Sequence, residues 1–243
     1  MLRSLTAALF ATTLICMPAM AQSVSPAITA AVADAGRPAA DKERDANRKP
    51  AETVAFAGVK PGMTIAELGP GRGYYTRILA KTVGPTGKVF AVVTSAQAAR
   101  PGALDALNAL TAAYPNIKIV TVDYATMMLP EKADLFWTTE NYHDFHNNGG
   151  DIAALDKAVF NNLKPGGIFY VEDHSAAPGA GLAATSQFHR MDEAVAKSEL
   201  TAAGFKLDGE GDLLRNPADN KAASNSEAGH FSSDRFMLRM KKP

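Results

Sequence analysis

The stretch Thr64-Ile65-Ala66-Glu67-Leu68-Gly69-Pro70-Gly71-Arg72-Gly73-Tyr74 decides how the rest of the chain is read. Its first five residues form a short, mainly apolar run that fits a buried strand. The glycines that follow let the backbone turn sharply and come close to a ligand, beside the positive end of the next helix. That helix is marked by Tyr75, Ile78 and Leu79 at positions i, i+3 and i+4. Strand, glycine turn and helix open a doubly wound sheet, where an adenosine-type cofactor binds. The third glycine comes one residue too early for the dinucleotide fingerprint G-x-G-x-x-G. The ATP-binding pattern G-x-x-x-x-G-K-[ST] does not occur here.

Working outward, further apolar runs at 88–94, 117–123, 134–139 and 168–172 predict four more strands. Between them lie helical patterns. One carries Leu107, Leu110 and Tyr114 and ends at Pro115; another carries Ile152, Leu155, Val159 and Leu163 and stops at Lys164-Pro165-Gly166-Gly167. Phe188, Met191 and Val195 predict a helix running towards Gly204-Phe205, and residues 206–214 and 235–240 close the chain as two strands. Strict alternation of strand and helix implies a parallel sheet covered on both faces, with the last two strands as an antiparallel edge hairpin. The fold class expected is therefore α/β: a doubly wound, mostly parallel, seven-stranded sheet.

The start of the chain has a different logic. Met1-Leu2-Arg3 gives a positive beginning, residues 5–17 are uncharged and apolar, and Ala19-Met20-Ala21 has the small-x-small pattern of a cleavage site. We expect residues 1–21 to be a signal peptide cut after Ala21, and the mature protein to be periplasmic or secreted. Cys16, the chain's single cysteine, lies in that leader, so the mature chain forms no disulfide, cysteine-zinc site or thiolate nucleophile. Residues 22–50 are rich in alanine and charge, with helical pieces broken at Pro38 and Pro50, and are expected to form a solvated arm in preference to the alternative, a substrate-binding lid. Residues 51–243 form the main domain. The 25 basic and 25 acidic side chains balance, which argues against a nucleic-acid partner, and no apolar stretch after the leader is long enough to span a membrane.

The motif from Ala66 to Tyr74 resembles the E-x-G-x-G-x-G segment of class I S-adenosylmethionine-dependent methyltransferases. The resemblance runs from about Glu52 to Lys242 and includes Asp123, the turn Leu163-Lys164-Pro165-Gly166-Gly167 and the closing pair of strands. Three more segments are similar to a bacterial group of predicted methyltransferases, some of which carry signal peptides. They are Trp137-Thr138-Thr139-Glu140-Asn141-Tyr142-His143-Asp144, Glu172-Asp173-His174 and His189-Arg190-Met191-Asp192. The resemblance implies S-adenosyl-L-methionine as cofactor and a small-molecule acceptor. By position it assigns Glu67 to the methionine amino group, Gly69, Gly71 and Gly73 to the ribose and carboxypropyl part, and Asp123 to the adenine amino group. Tyr74, Ser95, Tyr124 and Glu140 complete the expected cofactor set. The family usually has an acid at the end of the second strand to bind both ribose hydroxyls, where this chain has Thr94, Ser95 and Gln97.

Reactive groups in such sheets gather beyond the carboxyl ends of the strands. Tyr142, His143, Asp173 and His174 are the catalytic candidates, with a histidine as proton acceptor and Asp144 or Asp173 orienting it. His143 and His146, three residues apart, offer an alternative metal set with Asp144, Asp173 or His174, but the spacing matches no closed motif and no metal ligand is assigned. His189 is expected to support structure on a helix shared with Arg190 and Asp192, and His230 has no assigned role. Three functions stay open: a methyltransferase, an exported ligand-binding protein on the same fold, and a metal-dependent enzyme using the histidine-rich edge.

Overall fold

A computed structural model describes residues 23–147, 149–224 and 232–243. The expected leader, residues 1–21, and His230 lie outside the described residues. Seven strands form one sheet: β1 (Thr64–Leu68), β2 (Lys88–Thr94), β3 (Ile117–Val122), β4 (Ala133–Thr139), β5 (Leu163–His174), β6 (Lys206–Gly211) and β7 (Arg235–Lys241). Their order is β3-β2-β1-β4-β5-β7-β6. Strands β1 to β5 pair in parallel, and β7 pairs antiparallel with both β5 and β6. This is the expected doubly wound sheet, with β7 inserted inside its hairpin partner. The chain winds from β1 to β3 in one direction and restarts at β4 on the other side of β1. The loops after β1 and β4 therefore diverge, and a crevice opens between them.

The helices are α1 (Pro26–Val32), α2 (Ala39–Lys42), α3 (Asp45–Arg48), α4 (Pro50–Ala57), α5 (Tyr74–Val83), α6 (Ser95–Ala98), α7 (Asp105–Ala113), α8 (Tyr142–Asn147), α9 (Ile152–Asn162), α10 (Ala183–Phe188) and α11 (Glu193–Ala202). Alternating strand residues feed two cores. Ile65, Val89, Leu135 and Trp137 pack on one face with α1, α5 and α7; Leu68, Val92, Phe136 and Phe169 pack on the other with α9 and α11. Every residue of β1 is buried, as a central parallel strand requires. Among the described residues no helix is long and apolar enough to cross a membrane.

Two expectations need correction. Residues 26–48 are not a solvated arm. Ile28 and Ala31 join the core, and the Arg37 guanidinium donates to both Asp45 carboxylate oxygens at 2.6 and 2.8 Å. Nor does one helix run from Phe188 to Gly204. His189 adopts a left-handed φ of 50°, Met191 bridges to Ser175, and Asp192 caps a new helix by accepting from the Ala194 amide. A helix-compatible apolar spacing loses here to a cap and a bridge. Two strands also differ in length from their sequence patterns: β5 reaches from 163 to 174, and β6 ends at Gly211.

Candidate functional site

The glycine loop joins β1 to α5, and its glycines do different work. Gly73 is the N-cap of α5 at φ 85°, and an added Cβ there would lie 2.2 Å from Leu110 Cδ1. Gly73 is therefore needed for α7 to pack. We expect Gly73→Ala to lower stability by about 1–3 kcal/mol through overpacking and left-handed strain, read by chemical denaturation. Gly71, at φ 55°, has nothing within 4 Å of the place a Cβ would take. It borders open space.

That space is a cleft of about 550 Å³ lined by Glu67, Gly71, Tyr74, Arg44, Arg48 and Glu140. A second cleft, of about 700 Å³, is lined by Thr94, Ser95, Gln97, Asp123, Tyr124 and Asp144. Gly69 and Asn141 border both clefts. The Asn141 amide donates to Gly69 O at 3.2 Å and Thr139 O at 2.7 Å, so it forms the partition between them. Volumes of this size suit small molecules.

Glu67 sits at the floor of the first cleft, 3 % exposed, and accepts from the Thr76 hydroxyl at 2.6 Å. Burial raises its pKa to about 8, so the carboxyl is mostly protonated at neutral pH. A buried carboxyl with little compensation is suited to receive a cationic group. Tyr74 and Glu140 belong to the same cleft's wall. The Tyr74 hydroxyl donates to Asp45 at 2.6 Å, and the Arg48 guanidinium lies 4.9 Å from the centre of its ring. Glu140, held at φ 57°, pairs with Arg48 and, at 2.9 Å, with Arg235. Arg235 also meets buried Glu172 at 3.1 Å.

In the second cleft Asp123 accepts from the Ala125 amide at 3.0 Å and caps a short turn. The Tyr124 hydroxyl accepts from the Gly69 amide and donates to Val92 O, each at 3.2 Å, and so ties the glycine loop to β2. Thr94 and Gln97 exchange side-chain and backbone hydrogen bonds in a capping box, so both are committed to starting α6. That leaves Ser95 as the polar side chain that the end of β2 presents to the cleft.

Beyond β4 and β5, His143 and Asp173 are joined. His143 Nδ1 lies 2.7 Å from Asp173 Oδ1, and the His143 amide donates to Asp173 Oδ2 at 2.7 Å. Burial alone would lower the His143 pKa, but the Asp173 carboxylate outweighs it and the pKa is raised. His174 Nδ1 bonds Ser233 Oγ at 2.6 Å, with its ring 6.1 Å from that of His143. Tyr142 stands apart from these groups. Its hydroxyl donates to Asp156 at 2.8 Å, and Glu199 beside it lies 3.2 Å from His146 Nε2. Of the expected catalytic set, His143, Asp173 and His174 come together and Tyr142 does not join them. The sequence reading gave no role to Arg48 or Arg235, named Asn141 only as part of a longer segment, and read His189 as structural. Asn141 and His189 left a signal, since both lie in segments already singled out, whereas Arg48 and Arg235 did not.

No protein-family model matches the chain. Solved structures do. A SAM-dependent methyltransferase from Aquifex aeolicus, 16% identical, aligns over 85% of this chain and 99% of its own with a TM-score of 0.58. The N-methyltransferase NodS from Bradyrhizobium japonicum, 15% identical, covers 83% of this chain and 96% of its own at 0.55. The [4+2]-cyclase SpnF, 16% identical, covers 87% and 85% at 0.58, so the same architecture also belongs to a protein named for another reaction. The strand order, the glycine turn after β1 and these similarities together show that the chain has the Rossmann-like fold of class I S-adenosylmethionine-dependent methyltransferases.

Proposed function

We propose that the protein is an S-adenosylmethionine-dependent methyltransferase acting on a small-molecule acceptor. The observation that carries this reading is the pair of clefts meeting at Gly69 and Asn141, with buried Glu67 in one and Asp123 in the other. The cofactor fits this donor set: its amino group matches Glu67, its ribose and adenine match the Ser95–Asp123 cleft, and the open space beside Gly71 leaves room for the chain between them. When bound, it supplies an electrophilic methyl group. The protein's part is to position two reactants and exclude water, and Asp173 holds His143 ready to take a proton where the acceptor must lose one.

Calorimetry with S-adenosylmethionine and its demethylated product tests the reading. Binding of both is expected, and absence of either would remove it. Binding without turnover of any acceptor would instead support the exported ligand-binding protein. Gly71→Val is expected to weaken binding at least tenfold, because its side chain enters the cleft, and circular dichroism would check that the fold survives the φ of 55°. Ser95→Asp is expected to tighten cofactor binding roughly tenfold, because a charged acceptor replaces a neutral one at the ribose. Unchanged affinity would place the ribose elsewhere.

Export belongs to the same proposal. Its support is the order Arg3, apolar residues 5–17 and Ala19-x-Ala21. Sequencing the N-terminus of protein from the periplasm or culture medium should give Gln22 first.

A further inference from the structure

We infer that His143, Asp144 and His189 form a binding site for a divalent transition-metal ion of the zinc class, at the rim of the larger cleft. His143 Nε2 and His189 Nδ1 each lie 3.4 Å from the same oxygen, Asp144 Oδ1. The three candidate ligand atoms all lie within 4.8 Å of one another.

These separations decide between two accounts of the cluster. At 3.4 Å the histidine–carboxylate contacts are long for hydrogen bonds, which centre near ~2.9 Å. Two ligands bound to one tetrahedral ion at ~2.0–2.1 Å stand roughly 3.3 Å apart. The two histidine–carboxylate separations thus match ligands around an ion more nearly than hydrogen bonds, and the two imidazole nitrogens lie within 4.8 Å of each other.

A second, independent feature is the support behind the ligands. Asp173, fully buried, holds His143 Nδ1 at 2.7 Å, which fixes the ring and directs Nε2 towards Asp144. A carboxylate on the far nitrogen of a ligating histidine is the usual second support of a metal site. His189 is held from the other side. Its neighbour Arg190 is buried, donates to Ser175 O at 3.0 Å and forks onto Asp219 at 2.7 and 3.2 Å. The left-handed residue that ended the expected helix is thereby fixed with its ring 5.6 Å from that of His143.

Two imidazoles and one carboxylate favour zinc, cobalt or nickel over magnesium or calcium, and three protein ligands leave a fourth position open. Asp144 also lines the 700 Å³ cleft, so that position serves a ligand entering there. His146, one turn from Tyr142, faces Glu199 and takes no part. With an ion bound, His143 Nε2 is a ligand, and lowering the pKa of a bound hydroxyl falls to the ion.

The test is calorimetry of the chelator-stripped full protein with zinc chloride, and visible absorption with cobalt chloride. One ion per chain and a tetrahedral cobalt spectrum are expected. His189→Ala and Asp144→Asn should each weaken zinc binding at least tenfold, Asp173→Asn should weaken it about 10–100-fold, and His146→Ala should leave it unchanged. A parent that binds no zinc, or equal binding in the parent and His189→Ala, overturns the site. His189 is half-exposed at the end of a short helix, so its loss does not threaten folding. Cofactor titration of His189→Ala reads the methyltransferase proposal separately.

Discussion

Replacing Arg235 with methionine is expected to lower the protein's stability by about 3–5 kcal/mol and its unfolding temperature by roughly 10 °C. Arg235 lies between two carboxylates, Glu140 at 2.9 Å and Glu172 at 3.1 Å, and also donates to the carbonyl of Asn47. Glu172 is fully buried, and burial already raises its pKa against the pull of Arg235. Without the guanidinium it must either stay charged in an apolar surrounding or take up a proton. The Asn47 contact adds a second loss, because it ties α3 to the edge of β7. The magnitude follows from orphaning a buried charge, not from the net worth of the ion pair. Methionine at Arg235 combined with Glu172→Gln should therefore recover much of the loss. Thermal and urea unfolding of the single and double variants would decide it. A single-variant loss below about 1 kcal/mol would mean that Arg48 alone satisfies both acids.

That network also shows why the arm was misread. A dense mix of opposite charges such as Asp41-Lys42-Glu43-Arg44-Asp45 ordinarily marks a solvated helix. Here Arg37 finds Asp45 nearby, but Arg48 finds Glu140 beyond β4, and no local pattern reveals a partner that distant. The strands were legible for the opposite reason. Parallel strands buried on both faces read as mainly apolar runs, and β1, β2 and β4 do so in the sequence itself, with Glu67 as the buried charged exception that marks the site.

The site divides along the same line. The glycine turn was visible because backbone conformation restricts residue choice locally. The His143–Asp173 pair was partly visible, since each residue closes or follows a neighbouring strand. His189 was hidden by an apolar spacing that suggested an unbroken helix. Its ring reaches Asp144 only because the chain turns at φ 50° and buried Arg190 anchors that turn.

On the proposed function, affinity for S-adenosylmethionine should rise roughly 25-fold between pH 6 and pH 8, and Glu67→Gln should abolish most of that rise. Glu67 has a pKa of about 8 in the ligand-free protein, against an ordinary value of 4.5, because it is buried. A bound ammonium group favours the ionised carboxylate, so binding at pH 6 must first expel a proton. Well below pH 8 each unit then costs about tenfold in affinity, or ~1.4 kcal/mol. Above pH 8 the ligand's own amino group, with a pKa near ~8, loses its charge and affinity falls again. The maximum thus lies where both groups carry their charges. Glu67→Gln should match the parent at pH 6 and be much weaker at pH 8. The same shift has a signature without ligand. An acid whose pKa is raised on folding adds stability that is complete below pH 4.5 and is lost as pH rises through about 8. The glutamine variant should therefore show a flatter dependence of unfolding temperature on pH across that window. A flatter unfolding profile with an unchanged binding profile would keep Glu67 as a buried acid but move the ligand's amino group away from it. Parallel binding and unfolding profiles in parent and variant would mean that Glu67 is ionised throughout, held so by Arg48 and Arg77, whose charges oppose the effect of burial.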